Sequence, residues 1–388
     1  MSQVTARHSI PPIAAWRSRI HIASCASGLL ACMFPSSVEG QAPREFHLAA
    51  VATVAAPTLI NPTGITIGTD QRVYVVDQAP ARIRVYDPQG KYLRDIGREG
   101  DGPGEYRAPI VAVDRQVVVH DPRSRRLTQF TLDGQVVWTK PGPCCVSHPL
   151  RLSTDGRIFA FASPVVIGGG PAWDQIVVFR SDGTPIDTLP VVGRFPDPTA
   201  LWTVMTKQAA LSAPIPFRAR PHFVVTRSGT ILTSSASGYV LVEGHGGKDT
   251  MRIIRPQWTP FQLAASVRHA ALAGVVAEFL QFSDSVALQR VFKLADVPSQ
   301  APAVFGLDVD ACGRWWVQRT TGSMGAPTRF DLFSPIGVFQ GTVSVPQAIL
   351  EPGRWAVGQE SLAMIGEASD GSPVLSVFST AILGSCRP

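Results

Sequence analysis

The sequence predicts an all-β protein, a ring of six four-stranded antiparallel sheets, on three observations. Proline is in excess, with 33 in 388 residues, where average usage would give about 19, and proline breaks helix interiors. Short β-branched and aromatic runs alternate with Gly and Asp turns, as in antiparallel strands. The same motifs return 44 residues later, and four strands in a unit of that size form one blade of a β-propeller.

The repeat is clearest in the first two units. Arg72-Val-Tyr-Val-Val-Asp77 aligns with Gln116-Val-Val-Val-His-Asp121, and Arg82-Ile-Arg-Val-Tyr aligns with Arg126-Leu-Thr-Gln-Phe. Later units keep the pattern in weaker form. A proline stands before the first strand of each unit, at positions 62, 109, 149, 221, 302 and 346, and these six prolines predict six blades.

The sixth unit runs out of chain after its third strand. The segment 44–54 is the free β-prone stretch ahead of the first unit, so we expect it to supply the missing strand and to cover an open sheet edge. The predicted fold class is therefore an all-β, six-bladed β-propeller over residues 44–380, closed by an N-terminal strand, with one inserted helix between blades four and five.

The inserted helix is predicted inside the insertion 255–301. Thr259-Pro260 supplies a helix start, and apolar residues follow every four positions, at Leu263, Val267, Ala271, Val275 and Phe279. One apolar stripe of this kind favours a helix that packs on the propeller rim as a lid. A helix that docks a partner is the alternative.

Residues 1–40 are interpreted as an export signal or leader. Arg17 and Arg19 precede a short apolar stretch, and Leu29-Leu-Ala-Cys32 resembles a lipobox in which Cys32 would be lipidated. Cleavage before Gln41 is the alternative to lipidation. A disordered leader, or a start codon assigned too early, is the alternative to export. We expect an extracytoplasmic protein, periplasmic, secreted or lipid-anchored, whose membrane contact is limited to that anchor. The disulfide pairing among Cys144, Cys145, Cys312 and Cys386 stays open.

A family resemblance rests on the run from Asp77 to Tyr106, with Arg82-Ile-Arg-Val-Tyr-Asp and Gly102-Pro-Gly-Glu-Tyr106, and on Phe305-Gly-Leu-Asp-Val-Asp with Gly313-Arg-Trp-Trp-Val. The chain resembles NHL-repeat propellers, especially exported bacterial six-bladed β-propeller proteins of the TolB-like type. Tyr106 stands where those proteins usually have Phe. Most of that family has no assigned activity, so the resemblance implies an architecture and leaves function open.

Blade geometry places tight turns on one face and the long insertions, 162–174, 190–221, 255–301 and 320–328, on the other. Loops on a rigid scaffold usually carry function, although long loops can also simply plug the channel. The predicted ligand-binding residues lie on this insertion-bearing face: His148, Trp173, Trp202, His222 and Arg319. Trp202 is expected to offer aromatic contact area to a partner.

The predicted channel mouth is poor in metal ligands. The residues after the six prolines are Thr63, Ile110, Leu150, His222, Ala303 and Gln347, a set with one histidine and no acid, so we expect neither a metal nor another cofactor. Asp77 with Arg82 and Asp121 with Arg126 repeat at one blade position, which indicates that they hold the loop between second and third strands. The glycine-rich segment from Gly97 to Glu105 lacks the lysine of a P-loop and is interpreted as a loop conformation.

Two functions fit these observations. The first is an exported or lipid-anchored, monomeric propeller that binds a protein, peptide or glycan without catalysis. The alternative is a propeller hydrolase or lyase with an active site at the channel mouth on the insertion-bearing face. The net charge of +6 is scattered along the chain, so a nucleic-acid partner is not expected.

Overall fold

The computed structural model describes residues 44–55, 59–143, 150–162, 175–190, 201–205, 210–219, 222–226, 228–234, 238–245, 248–254, 258, 260–280, 282–320, 326–348 and 353–384. Within these ranges the chain forms six sheets of four or five strands. The first strands of successive sheets contact one another in sequence order, and the first strand of blade 6 contacts that of blade 1. The sheets therefore form a closed ring, and the predicted six-bladed β-propeller is confirmed.

Blades 1 to 3 each consist of four antiparallel strands in sequence order. Blade 1 contains Pro62–Ile67, Val73–Gln78, Ala81–Tyr86 and Tyr92–Ile96; blade 2 contains Ile110–Val113, Val117–Asp121, Arg126–Phe130 and Val136–Pro141; blade 3 contains Arg151–Leu152, Ile158–Ala162, Gln175–Phe179 and Pro185–Pro190. A short parallel pair, Arg98–Glu99 with Glu105–Tyr106, connects blades 1 and 2.

Blades 4 to 6 repeat this order. Blade 4 contains Phe223–Val225, Ile231–Ser234, Val240–His245 and Lys248–Ile254; blade 5 contains Val304–Val309, Trp315–Arg319, Thr328–Phe333 and Phe339–Val345; blade 6 contains Trp355–Val357, Ser361–Glu367 and Pro373–Ser379. A 3₁₀ turn, Ala381–Leu383, follows the last strand.

The N-terminal segment closes the ring, as predicted, and does more. Ala50–Ala55 pairs antiparallel with Pro373–Ser379 and is the fourth strand of blade 6. Arg44–His47 pairs in parallel with Phe339–Val345 and adds a fifth strand to blade 5. One short segment therefore covers the outer edges of two neighbouring blades.

The core lies between the blades. Six clusters of buried apolar side chains are present in the described ranges, one at each blade-to-blade contact. In the contact between blades 5 and 6, for example, Trp316, Phe330 and Phe378 are each at most 1% exposed. The predicted glycine turns are present, as at Gly90 and Gly134, where positive φ angles of 78° and 88° favour glycine.

A seventh apolar cluster lies in the insertions. A hairpin, Leu201–Met205 with Ala210–Pro214, packs against helix α1 (Ala265–Phe279), helix α2 (Ser285–Val291) and the 3₁₀ turn Leu294–Asp296. We call these four elements the hairpin–helix unit. The predicted helix is confirmed as α1, but its start is corrected: it begins at Ala265, after the N-cap Ala264, and not at Thr259-Pro260. Helix α2, which has Asp284 as its N-cap, was not predicted. No helix among the described residues has the length and apolarity to cross a bilayer.

The apolar stripe of α1 packs inside this unit. The ring of Phe279 lies 5.3 Å from that of Phe292, centroid to centroid, and Trp202 of the hairpin packs on the same Phe292 ring at 5.0 Å, so α1 and the hairpin share one apolar cluster. The lid model placed the stripe on the propeller rim, and the structure corrects that expectation. Two insertions far apart in sequence fold onto each other because each leaves one apolar face open.

Candidate functional site

A cavity of about 410 Å³ occupies the centre of the ring. Every blade contributes to its lining at or just before its first strand, and the second strand of blade 1 adds Val76 and Gln78. The contributions of the six blades include Thr63, Ile110, Arg151, His222, Asp308 and Trp355. The volume lies in the range of small-ligand sites, which combine an apolar lining with a few polar groups.

Arg151 and Asp308 are the charged pair of this cavity. Arg151 begins the first strand of blade 3 and Asp308 lies in the first strand of blade 5, so the pair spans the inner end of blade 4. The Arg151 Nη2 atom is 3.8 Å from Asp308 Oδ1, which is a loose ion pair. Burial raises the pKa of the Asp308 carboxyl, and the Arg151 charge opposes that shift.

The channel contains an acid that the residues after the six prolines did not include. Asp308 lies one residue before the end of the first strand of blade 5, deeper in the channel than the predicted mouth, where the first strands begin. The first strand of blade 5 begins at Val304, and a β-bulge near its start changes its register. Gly306, Leu307 and Asp308 line the cavity instead of Ala303. In blade 6 the first strand begins at Trp355, nine residues after Pro346, so that proline does not mark the strand that follows it. An aspartate inside an apolar first strand was the available signal for Asp308.

His222 is the predicted site residue that the structure places in the cavity. It precedes the first strand of blade 4 and is half-buried. Its backbone N–H donates to Ser234 Oγ at 3.1 Å, and its carbonyl accepts from the Ser234 N–H at 2.9 Å. The second strand of the blade therefore holds His222 at the mouth, on the same side as Gln78 and Gly353.

Trp202 has a different place from the one predicted. Its side chain is 4% exposed, its Nε1–H donates to Asp296 Oδ2 at 2.8 Å, and its ring packs 5.0 Å from that of Phe292, centroid to centroid. Trp202 is thus a core residue of the hairpin–helix unit and has no open ring face for a partner. The expectation of an exposed aromatic is corrected.

Arg319 is also a packing residue in this structure. Its Nε lies 3.2 Å from Oδ1 of Asp331, a fully buried carboxylate that also accepts from Tyr239 Oη at 2.9 Å. Aligning Arg314-Trp-Trp-Val-Gln-Arg319 with Arg72-Val-Tyr-Val-Val-Asp77 gives Arg319 the blade position of Asp77. Blade 5 therefore has the positive charge on the second strand where blade 1 has the negative one. Arg319 does not line the cavity.

The two Asp–Arg pairs are structural, as expected, but they differ. Asp77 Oδ2 is 3.2 Å from Arg82 Nη2, and its Oδ1 accepts from the Asn61 N–H at 2.8 Å, so it holds the chain that enters the first strand. In blade 2, Ser124 bridges the two side chains: its Oγ donates to Asp121 Oδ2 at 2.7 Å and accepts from Arg126 Nε at 3.1 Å.

Arg126 also shapes the glycine-rich segment. Its two Nη atoms donate to the carbonyls of Gly102 and Glu105, each at 3.2 Å. The Glu105 carboxylate accepts from the Gly102 N–H at 2.7 Å, and Tyr106, 2% exposed, donates to the Ile96 carbonyl. These bonds stay within the loop and its neighbouring blade, as the loop interpretation predicts.

The remaining predicted residues lie outside the described residues. They are His148, Trp173, the lipobox residue Cys32, and Cys144, Cys145 and Cys386. Cys312 is described and is disulfide-bonded. In the part of the chain that the structure describes, no three His, Cys, Asp or Glu side chains gather closely enough to share a metal ion.

Known proteins resemble this chain at the level of the blade and the ring. A family model described as a 6-bladed beta-propeller matches residues 59–165. Human E3 ubiquitin-protein ligase NHLRC1 is 32% identical over 83 residues, 20% of this chain and 21% of that protein. The chain thus spans about a fifth of the length of this curated relative.

Two solved structures are similar in overall course. A candidate exported protein from Bacteroides fragilis has 12% identity and a TM-score of 0.45, over 86% of this chain and 98% of the other. A catalytically inactive H270A virginiamycin B lyase from Staphylococcus aureus has 11% identity and a TM-score of 0.42, over 83% and 96%. Likeness at this level says nothing about activity. The chain is a six-bladed β-propeller, and its resemblance to the NHL-repeat propellers is confirmed.

Proposed function

We propose that the protein is an extracytoplasmic binding module that holds part of a protein, peptide or glycan ligand in its central channel. The observation that carries this proposal is the cavity of about 410 Å³, to which all six blades contribute. A rigid ring with an apolar lining and convergent polar groups is the arrangement that small-ligand sites use.

The ligand enters from the insertion-bearing face. Thr63 and His222 lie at the starts of first strands, and Gln78 ends the second strand of blade 1. In a propeller these positions share one face, the face to which the second-to-third loops and the blade connections belong. This placement supports the predicted working face.

A plug in the channel tests the proposal. Thr63 lines the cavity and its side chain is exposed, so Thr63→Trp should fill the mouth and leave the strand pairing intact. The matched control is Thr69→Trp, an exposed threonine in the turn between the first and second strands of the same blade, on the opposite face.

The assay is capture from a native envelope extract by wild-type and variant protein. We expect the ligands retained by the wild type to be lost with Thr63→Trp and kept with Thr69→Trp, at unchanged melting temperatures. Equal capture by all three proteins would exclude the channel as the binding site.

A lyase or hydrolase is the second candidate, and Asp308 is the observation that favours it. A carboxyl group with a raised pKa in a cavity is a common acid or base in enzymes. Mass spectrometry of the captured ligand after incubation decides between the two. An unaltered ligand supports the binding module, whereas a product that forms with wild type and not with Asp308→Asn supports the enzyme.

The extracytoplasmic location is supported by two features of the chain. Residues 1–40 have the pattern of an export signal, and Cys312 is disulfide-bonded, as is usual in oxidising compartments. Mass spectrometry of the native N-terminus tests it. An acylated Cys32 indicates a lipid anchor, a start at Gln41 indicates free secretion, and an intact Met1 rejects export.

A further inference from the structure

Arg151 has an unusually poor set of partners for a channel-lining arginine. A guanidinium group has five N–H donors. The Arg151 Nη2 donates to the Leu307 carbonyl at a long 3.5 Å, and the ion pair with Asp308 is 3.8 Å. Its Nε is buried and has no hydrogen-bond partner in the described part of the protein. By contrast, Arg314 in blade 5 binds Asp310 at 2.6 Å and the Leu383 carbonyl at 2.8 Å.

Asp308 does not compensate for this shortage. Its Oδ1 accepts from the Val309 N–H at 3.0 Å, and its Oδ2 accepts from the Val357 N–H at 3.4 Å. The carboxylate is thus held by the backbone of blades 5 and 6 and lies beyond hydrogen-bond distance of the guanidinium. The Arg151 side chain is 23% exposed and lines the cavity, so its free Nη donors are available to a ligand.

The rest of the lining is mostly apolar. Ile65, Val111, Phe223 and Leu307 surround the channel, and Thr63, Thr66 and Gln78 add hydroxyl and amide groups on the blade 1 side. Phe223 and Trp355 are each 5% exposed, so neither ring offers an open face on which a sugar could stack. These surroundings favour an aliphatic or aromatic side chain over a glycan.

We propose that Arg151 anchors the free C-terminal carboxylate of a peptide whose last side chain is apolar, an inference that rests on the proposed channel site. The planar fork of a guanidinium binds a carboxylate through two parallel hydrogen bonds. The terminal side chain lies against the aliphatic lining, and the preceding peptide groups reach Thr63 and Gln78 toward the mouth.

The test uses a pool of N-acetylated tetrapeptides with randomised last two residues, made once as free acids and once as C-terminal amides. Immobilised protein captures each pool, and mass spectrometry reads the retained peptides. We expect the wild type to retain free acids with apolar last residues and to bind the matching amides at least about 10-fold more weakly, because a hydrogen bond to a charged group is lost.

Three variants complete the test. Arg151→Gln should weaken binding of the best free acid about 10-fold or more. Arg151→Lys keeps the positive charge but lacks the planar fork, so its affinity for that peptide should lie between those of Arg151→Gln and the wild type. The matched control is Arg157→Gln in the turn between the first and second strands of the same blade, which should bind as the wild type does. Melting temperatures measured by circular dichroism identify any variant that has lost its fold.

Each outcome decides one of the two claims. Equal retention of acids and amides, or full binding by folded Arg151→Gln, overturns the carboxylate anchor. If the anchor is overturned but Thr63→Trp still abolishes capture from the envelope extract, the proposed channel site is retained and only the carboxylate anchor is rejected. Retention of no peptide by the wild type also overturns the anchor. Acid-selective binding that survives Thr63→Trp overturns the channel site.

Discussion

Asp77→Ala is expected to destabilise the whole ring, because Asp77 is a fully buried charge with several partners. Its Oδ1 accepts from the Asn61 N–H at 2.8 Å and from the Ile60 N–H at 3.3 Å. Its Oδ2 lies 3.2 Å from Arg82 Nη2 and 3.9 Å from Arg84 Nε. Removal of this carboxylate takes the acceptor from two backbone N–H groups and a negative charge from two guanidinium groups.

The expected loss follows from these partners. Breaking a buried ion pair by removing one member costs about 3–5 kcal/mol. The Arg82 side chain is 19% exposed, and both arginines keep Asp95 at 3.8 and 3.7 Å, so part of their charge stays compensated. We therefore expect the free energy of unfolding to fall by about 3 kcal/mol, at the lower end of that range.

Urea unfolding followed by tryptophan fluorescence and circular dichroism measures this loss. The matched control is Asp133→Ala, which removes a carboxylate that is 81% exposed and 3.5 Å from Arg94; exposed pairs contribute about 0–1 kcal/mol. If Asp77→Ala lowers the free energy of unfolding by at most about 1 kcal/mol more than Asp133→Ala does, the buried carboxylate does not stabilise the ring as described.

Three further results are expected. Deletion of residues 44–55 exposes the outer edges of blades 5 and 6 and should give a protein that aggregates on size-exclusion chromatography, whereas deletion of 1–42 should leave it monodisperse. Trp202→Ala should cost the hairpin–helix unit about 3 kcal/mol and speed amide hydrogen exchange in α1 and α2; unchanged exchange there would contradict the packing role. Asp308 has a raised pKa, so the folded state holds this proton more tightly than the unfolded chain. Stability should therefore fall as the pH rises from about 4 through the raised value, and Asp308→Asn should remove this part of the pH dependence of the urea midpoint.

The blades were predictable because their signal is local and periodic. The segment from Arg72 to Arg82 contains the second strand of blade 1 and both members of the Asp77–Arg82 pair, and the 44-residue repeat multiplies that signal. The closing strand could be predicted by counting strands, since the sixth unit contains three predicted strands where a blade needs four. Even the structural role of Arg319 was within reach, because it aligns with Asp77.

The site itself depends on features without a period. Asp308 lies four residues past the start of the first strand of blade 5, beyond a β-bulge, so the proline that marks the start of the strand does not point to it. The contact between Trp202 and Asp296 joins two insertions nearly a hundred residues apart. An apolar stripe shows that α1 must pack, but it does not show on which surface.

The closing strand also bears on the order in which this protein can fold. Ala50 pairs with Phe378, so a segment that is made before blade 1 waits for the third strand of blade 6. The four strands of blade 1 can pair with one another early, whereas the ring can close only after blade 6 has been made, and that step includes a large loop-closure entropy. A circular permutant that moves residues 44–55 behind Ser379 would convert the longest-range pairing into a hairpin. Because folding rates rise as contacts become more local, such a permutant should refold faster than the native chain order, with the same blades and the same channel.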